Sequence, residues 1–198
     1  VAYFNGTATF TGDLGKARVT VRDINTMTLF STIMGTSSFV VKSGSTLAGP
    51  ASLLTGVSVS DVGTTSVTAL ELTLNANLSG LTTTSVVASF AGTGTFGGDL
   101  GKAVVTVSDT NVMTLLGSTM GTSIFIVESG SSLVGPASLL TGVSVTGAGT
   151  TSVSGLELTL DAVLSGLTTT SVVAPFSGTA TFTGDLGKAV VNVSDTNV

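Results

Sequence analysis

The 198-residue chain has no cysteine, no histidine and no tryptophan, and it carries only six basic and eleven acidic side chains. Each shortage excludes something. Without cysteine there is no disulfide and no thiolate chemistry, which leaves the redox compartment open and is compatible with secretion. Without cysteine and histidine, neither a Ser-His-Asp nor a Cys-His constellation can be assembled from these residues. Zinc loses its usual ligands as well. Six basic groups scattered through a chain of net charge −5 make no electrostatic footprint for nucleic acid. Charged residues are 9% of the total, against about a quarter in ordinary domains.

What is present is threonine, serine and glycine, mixed with β-branched and other apolar residues that bring the hydrophobic share to 42%. Disordered chains are poor in such residues and rich in charge, so a folded, hydroxyl-covered protein is expected. The uncharged run from Thr110 to Val127 is interrupted by Asn111, Thr114, Gly117, Ser118, Thr119, Gly121, Thr122 and Ser123. A spanning helix wants about 20 predominantly apolar residues, so no membrane-spanning segment is expected, and a lipid-facing barrel of repeated modules is not expected either.

The chain is an array. Gly6-Thr7-Ala8-Thr9-Phe10-Thr11-Gly12-Asp13-Leu14-Gly15-Lys16-Ala17 returns, slightly altered, at Gly92–Ala103 and again at Gly178–Ala189. The offset is 86 residues each time, and Pro50/Pro136 and Glu71/Glu157 keep it. Residues 1–86 and 87–172 match at about 60 positions without a gap, as tandem structural repeats do. The organisation expected is therefore repeat 1 over 1–86, repeat 2 over 87–172 and a partial repeat 3 over 173–198. The last of these is expected either to complete the sandwich before it or to start a new unit. Val1 and Val198 align with Val87 and Val112, inside phrases rather than at their edges, so a window from a longer array is expected.

Within one unit, Thr93–Phe96 and Lys102–Ser108 flank the turn Gly97-Gly98-Asp99-Leu100-Gly101 and predict a β-hairpin. Asp109-Thr110-Asn111 predicts an Asx-type turn. Ser123–Glu128 is the clearest β-branched strand, and Gly135-Pro136 followed by Ala137–Leu140 predicts one helical turn. Val143–Val145 resumes strand alternation. Leu156-Glu157-Leu158-Thr159-Leu160 places leucine on alternate residues and predicts a strand with Glu157 outward. Thr168–Phe176 predicts a strand leading straight into the next unit. About seven short strands per unit, with turn signals between them, predict an all-β fold of tandem β-sandwich repeats. The charge reversal Lys42/Glu128 and the variable Asp61–Thr65 segment are expected in solvent.

With its 86-residue period, its Thr/Ser/Gly/Val richness and its linkerless joins, the array resembles the tandem immunoglobulin-like or related β-sandwich modules of prokaryotic cell-surface proteins and extracellular filaments. The resemblance covers the whole chain in style and rests on no family-specific motif. It implies an extracellular or cell-surface location and a structural or adhesive role.

Candidate chemistry is sparse. Gly12-Asp13-Leu14-Gly15-Lys16 lacks the phosphate-loop spacing and reads as a turn. Asp13 and Asp23 read as turn caps in preference to calcium ligands, which come in closely spaced groups. Lys16 and Lys102, with Asn25 and Asn111 as partners beside Glu71 and Glu157, are candidates for a Lys–Asn cross-link of the kind some adhesins carry; a solvated lysine flanking a turn is the plainer reading. The three glycosylation sequons, at Asn5, Asn77 and Asn192, do not recur between copies and read as chance matches in a Ser/Thr-rich chain. No catalytic residue, metal or cofactor is assigned, and enzyme activity is not expected. The function expected is a stiff extracellular filament or surface array whose partners are neighbouring repeats or identical chains, with strands donated between neighbours. The alternative is an adhesin stalk or a module binding glycan or another surface through rows such as Thr7, Thr9 and Thr11.

Overall fold

A computed structural model describes residues 1–194; the last four residues of the third copy lie outside the described residues. The first repeat contributes β1 (Ala2–Phe4), β2 (Ala8–Asp13), β3 (Arg18–Val21), β4 (Thr26–Ile33), β5 (Ser38–Val41), β6 (Thr46–Pro50), β7 (Ser58–Ser60) and β8 (Thr64–Thr68). The second contributes β9 (Ser85–Phe90), β10 (Gly94–Phe96), β11 (Val104–Val107), β12 (Val112–Leu115), β13 (Ile124–Val127), β14 (Ser132–Pro136), β15 (Ser144–Thr146) and β16 (Thr150–Ser154). The third copy adds β17 (Ser171–Ser177) and β18 (Val190–Ser194). Two four-residue helices, α1 (Ala51–Leu54) and α2 (Ala137–Leu140), lie 86 residues apart.

The all-β expectation holds, but the sandwich does not. Every strand pairing among the described residues is parallel. The chain winds as a β-solenoid of about 10 turns, so it is neither a sandwich nor immunoglobulin-like. The predicted hairpin is absent: β10 pairs with β12, and β11 lies between β9 and β13. In the third copy likewise β17 stacks in parallel on β16 and β18 on β17. A tight turn permits only antiparallel neighbours, whereas parallel neighbours need a crossover of a dozen residues or more. Here the rest of each turn is that crossover, and a residue meets its counterpart one turn later, as in Val19–Phe39–Val59.

The seam between repeats has its own geometry. The ladder Ala2–Val19–Phe39–Val59–Leu81 climbs four turns on one side of the coil. The strand that opens the second repeat then stacks one side further round, on β8 rather than β7, through Thr64–Ser85, Thr65–Val86, Ser66–Val87 and Val67–Ala88. β17 repeats the step on β16. The result is an eight-stranded sheet in the order β15-β13-β11-β9-β8-β6-β4-β2, which joins the second strands of repeat 1 to the first strands of repeat 2. Eighty-six residues therefore make about four and a third turns of about 20 residues each.

Side chains alternate between an interior stack and the outside. Phe10, Leu29, Gly49, Val67, Ala88, Val105, Phe125 and Val145 form one inward ladder, and all but Phe10 at its end are buried. Gly49 faces Leu29; a Cβ there would lie 3.2 Å from that leucine's own Cβ, so the missing side chain makes room for the large one. The helical turn after Pro50 and Pro136 forms as expected, with Ala51, Leu54, Ala137 and Leu140 inside.

Two local expectations are corrected. Leu156–Leu158 is a 3-10 turn, not a strand. Gly155 at φ 63° ends β16 in the left-handed region, so Leu156 turns inward while Leu158 is left 84% exposed. The Asp61–Thr65 segment is not a solvated loop throughout: Gly63 is packed under the preceding turn and Thr65 is fully buried. Lys42 and Glu128 are exposed, as their charge reversal predicts.

Candidate functional site

The lysine candidates lie apart from the others, while Glu71 and Asn111 both bond the backbone of Ala91. Lys102 Nζ donates to the Thr82 carbonyl at 3.3 Å, just before β11. Asn111, just after β11, donates through Nδ2 to the Ala91 carbonyl at 2.8 Å and accepts from Thr93 Oγ1 at 3.2 Å. A four-residue strand, about 13 Å of extended chain, stands between them. In the first copy Lys16 is exposed, and Asn25 donates to the Arg22 carbonyl at 2.8 Å. Glu71 accepts the Ala91 N–H at 3.2 Å, and Glu157 sits half-buried in its 3-10 turn. The asparagines thus act as turn locks, bonding the carbonyl three residues back.

The aspartates of the recurrent Gly-Asp-Leu-Gly phrase are also turn locks. Asp13, Asp99 and Asp185 each accept the N–H of the glycine two residues on, at 2.8, 2.8 and 2.9 Å. That bond, followed by one from Ser165, holds the Asp185 carboxyl below its ordinary pKa. Asp23 pairs with Arg22 at 3.3 Å. Asp61 is lowered by the ammonium of Lys42, 2.6 Å away, and by the N–H of Val62. Among the described residues no three acidic side chains gather closely enough to hold a metal ion.

The outer faces of the sheets carry the remaining chemistry. On the eight-stranded sheet, one outward ladder reads Thr9, Thr28, Ala48, Ser66, Val87, Val104, Ile124, Ser144. A second reads Thr26, Thr46, Thr64, Ser85, and a third Ser89, Thr106, Ile126, Thr146. No charged residue occupies these ladders. Thr9 joins the first ladder, while Thr7 accepts the Thr26 N–H at 3.2 Å and so bridges consecutive turns.

Two open grooves lie 86 residues apart beside the helices. One, of about 440 Å³, is lined by Met34, Thr36, Ser52, Leu53 and Thr55, and the other, of about 480 Å³, by Met120, Thr122, Ser138, Leu139 and Thr141. Their linings contain no charge and no aromatic ring.

The chain matches no family model, no curated protein and no solved structure with which it was compared. Among the described residues no helix is long and apolar enough to cross a membrane.

Proposed function

We propose that this chain is a structural rod: a length of stiff extracellular filament or surface array in which rigidity is the function. The observation that carries the reading is the seam. Parallel pairing runs from β8 to β9 and from β16 to β17 with no linker and no break in the hydrophobic stack, so repeats join as a continuous coil. A continuous parallel ladder resists bending because any bend must break backbone hydrogen bonds on one side and compress close-packed side chains on the other. Each turn covers the edge of the last, which removes the open strand edges that lead to indiscriminate aggregation. A nearly uncharged, hydroxyl-rich exterior suits a passive scaffold. Electron microscopy of native material without added ligand tests this reading. Long unbranched filaments of constant width are expected; compact particles in that material would contradict it.

The second reading is an adhesin stalk or a glycan- or surface-binding module. The duplicated grooves favour it, since ten of their eleven equivalent lining positions are identical in the two copies. Glycan-array binding that is lost on Thr55→Ala/Thr141→Ala would support it, and no binding by the intact chain would remove it.

A further inference from the structure

Asn5-Gly6 is the one place in the chain where asparagine precedes glycine. The pair lies just past β1, whose ladder closes at Phe4–Val21, so neither residue is held between strands. Both are exposed. Gly6 adopts φ 101°, and a Cβ there would meet nothing within 4 Å. The same corner is open in the later copies, where Ala91 and Ser177 are exposed although a preceding turn stacks beneath each. Arg22 Nε donates to Asn5 Oδ1 at 3.1 Å. That guanidinium is held in turn by the Tyr3 ring, with its carbon 4.6 Å from the ring centroid, and by Asp23, 3.3 Å from the same Nε. Tyr3, Asn5 and Arg22 are replaced as a set, by Ser89, Ala91 and Ser108 in the second copy and by Pro175, Ser177 and Ser194 in the third.

We infer that Asn5 is a site of spontaneous covalent modification, closing onto Gly6 as a succinimide and opening to aspartate or isoaspartate. The Gly6 backbone nitrogen attacks Asn5 Cγ and a new N–Cγ bond forms. The proton from that nitrogen passes to the departing amide, the Cγ–Nδ2 bond breaks and ammonia leaves. Water then opens the ring. Cleavage of the new N–Cγ bond gives aspartate; cleavage of the original peptide bond gives isoaspartate, whose main chain runs through Cβ and Cγ. Two features favour the attack. Gly6 has no side chain to hinder its nitrogen from reaching Cγ. Arg22 draws electron density from the Asn5 amide and stabilises the oxyanion that forms on Oδ1. The product carboxylate also arises beside Arg22, where a charge-assisted bond awaits it.

The other asparagines are worse placed. Asn25 and Asn111 are committed through Nδ2 to the Arg22 and Ala91 carbonyls, and each precedes a β-branched residue, Thr26 or Val112. Asn77 precedes the fully buried Leu78, and its Oδ1 is occupied by the Ser79 N–H and hydroxyl. The modification therefore adds a negative charge to the first repeat and, as isoaspartate, lengthens the main chain just before Thr7, which bridges to the next turn through the Thr26 N–H. It accumulates with the age of the folded chain. The inference rests on neither functional reading.

The test is incubation of the folded full chain at mildly alkaline pH, followed by tryptic digestion and mass spectrometry with separation of the aspartate and isoaspartate forms. Asn5 is the single asparagine of the Val1–Lys16 peptide. It is expected to convert well ahead of Asn25, Asn77 and Asn111. Arg22→Ser installs the residue that the second copy carries at Ser108, so the fold is kept. R22S should slow the conversion roughly tenfold, less than a buried oxyanion donor contributes because this site is solvated. In concentrated urea, where Arg22 is released from Asn5, the parent and R22S should convert at equal rates. Conversion at Asn5 no faster than at the other asparagines, equal rates for the two folded proteins, or a difference that persists in urea would overturn the inference.

Discussion

The hydroxyls of Thr65 and Thr83 lie 2.7 Å apart, both fully buried, at the point where one repeat hands over to the next. Thr83 donates its proton to the Ser85 carbonyl at 2.9 Å, so the bond between the two threonines is donated by Thr65. Thr151, Thr169 and Ser171 repeat the relay at 2.8 and 3.0 Å. The relay satisfies two polar groups inside the stack and fixes the chain where it steps to the next side.

Breaking this relay from one end is expected to cost more than removing it. Thr83→Val leaves the Thr65 hydroxyl and the Ser85 carbonyl without their partner and should destabilise by about 1–3 kcal/mol. The double variant T65V/T83V leaves fewer orphaned groups and should recover part of that loss. Denaturant midpoints of the two single variants and the double variant, read as a cycle, check this.

The copies run a natural experiment in backbone strain. Ala69 adopts φ 53°, where its counterpart is Gly155 at φ 63°. A Cβ in the left-handed region costs about 1–2 kcal/mol, partly offset by the extra freedom glycine has when unfolded. Ala69→Gly is expected to raise thermal stability and Gly155→Ala to lower it, each by about 1 kcal/mol, in a melting comparison of the three proteins.

Gly63 and Gly149 are required for space. A Cβ on Gly63 would stand 2.5 Å from Val41 Cγ1 and 2.6 Å from the Lys42 carbonyl oxygen; on Gly149 the nearest atoms belong to Val127, Glu128 and Ser131. Gly63→Ala should destabilise by about 1–3 kcal/mol through overpacking. A midpoint unchanged from the parent would show that the segment is free to move outward.

Acid should loosen the first repeat at the Lys42–Asp61 pair. Asp61 has its pKa lowered in the folded chain, so the pair's contribution is complete above the ordinary aspartate range and is lost as pH falls through the lowered value. Glu128 and Gly147 replace the pair in the second repeat, which lacks this dependence. Asp61→Asn is expected to flatten the acid limb of a stability–pH curve and to leave the neutral region nearly unchanged, since an exposed pair contributes little.

The sequence carries much of this fold and conceals its pairing direction. Alternation in Val104–Val107 or Ile124–Val127 marks a strand with one solvated face, and antiparallel sheets are the usual place for such strands. A solenoid is the parallel exception, because its outer face stays open to water. The telling signal is a shorter period inside the longer one. Gly15, Gly35 and Gly56 each open a similar phrase, leading to Val19-Thr20-Val21, Phe39-Val40-Val41 and Val59-Ser60. That spacing of about 20 residues is one turn, and it is masked by the far stronger identity at 86. The outer ladders of the eight-stranded sheet are less legible. The exchanges Arg18/Val104 and Ser38/Ile124 are visible, but only the one-side step at the seam reveals that Val87, Val104 and Ile124 share a face. Leu156 and Leu158 mislead for a local reason, since a left-handed glycine before them ends the alternation.

Diffraction from oriented filaments tests the continuous coil most directly. The coil predicts a strong reflection near 4.8 Å along the filament axis, because the strands lie across it, and an axial rise of about 21 Å per 86-residue repeat. A 4.8 Å reflection perpendicular to the axis, with a longer rise per repeat, would mean strands running along the filament in separate beads and would contradict the account.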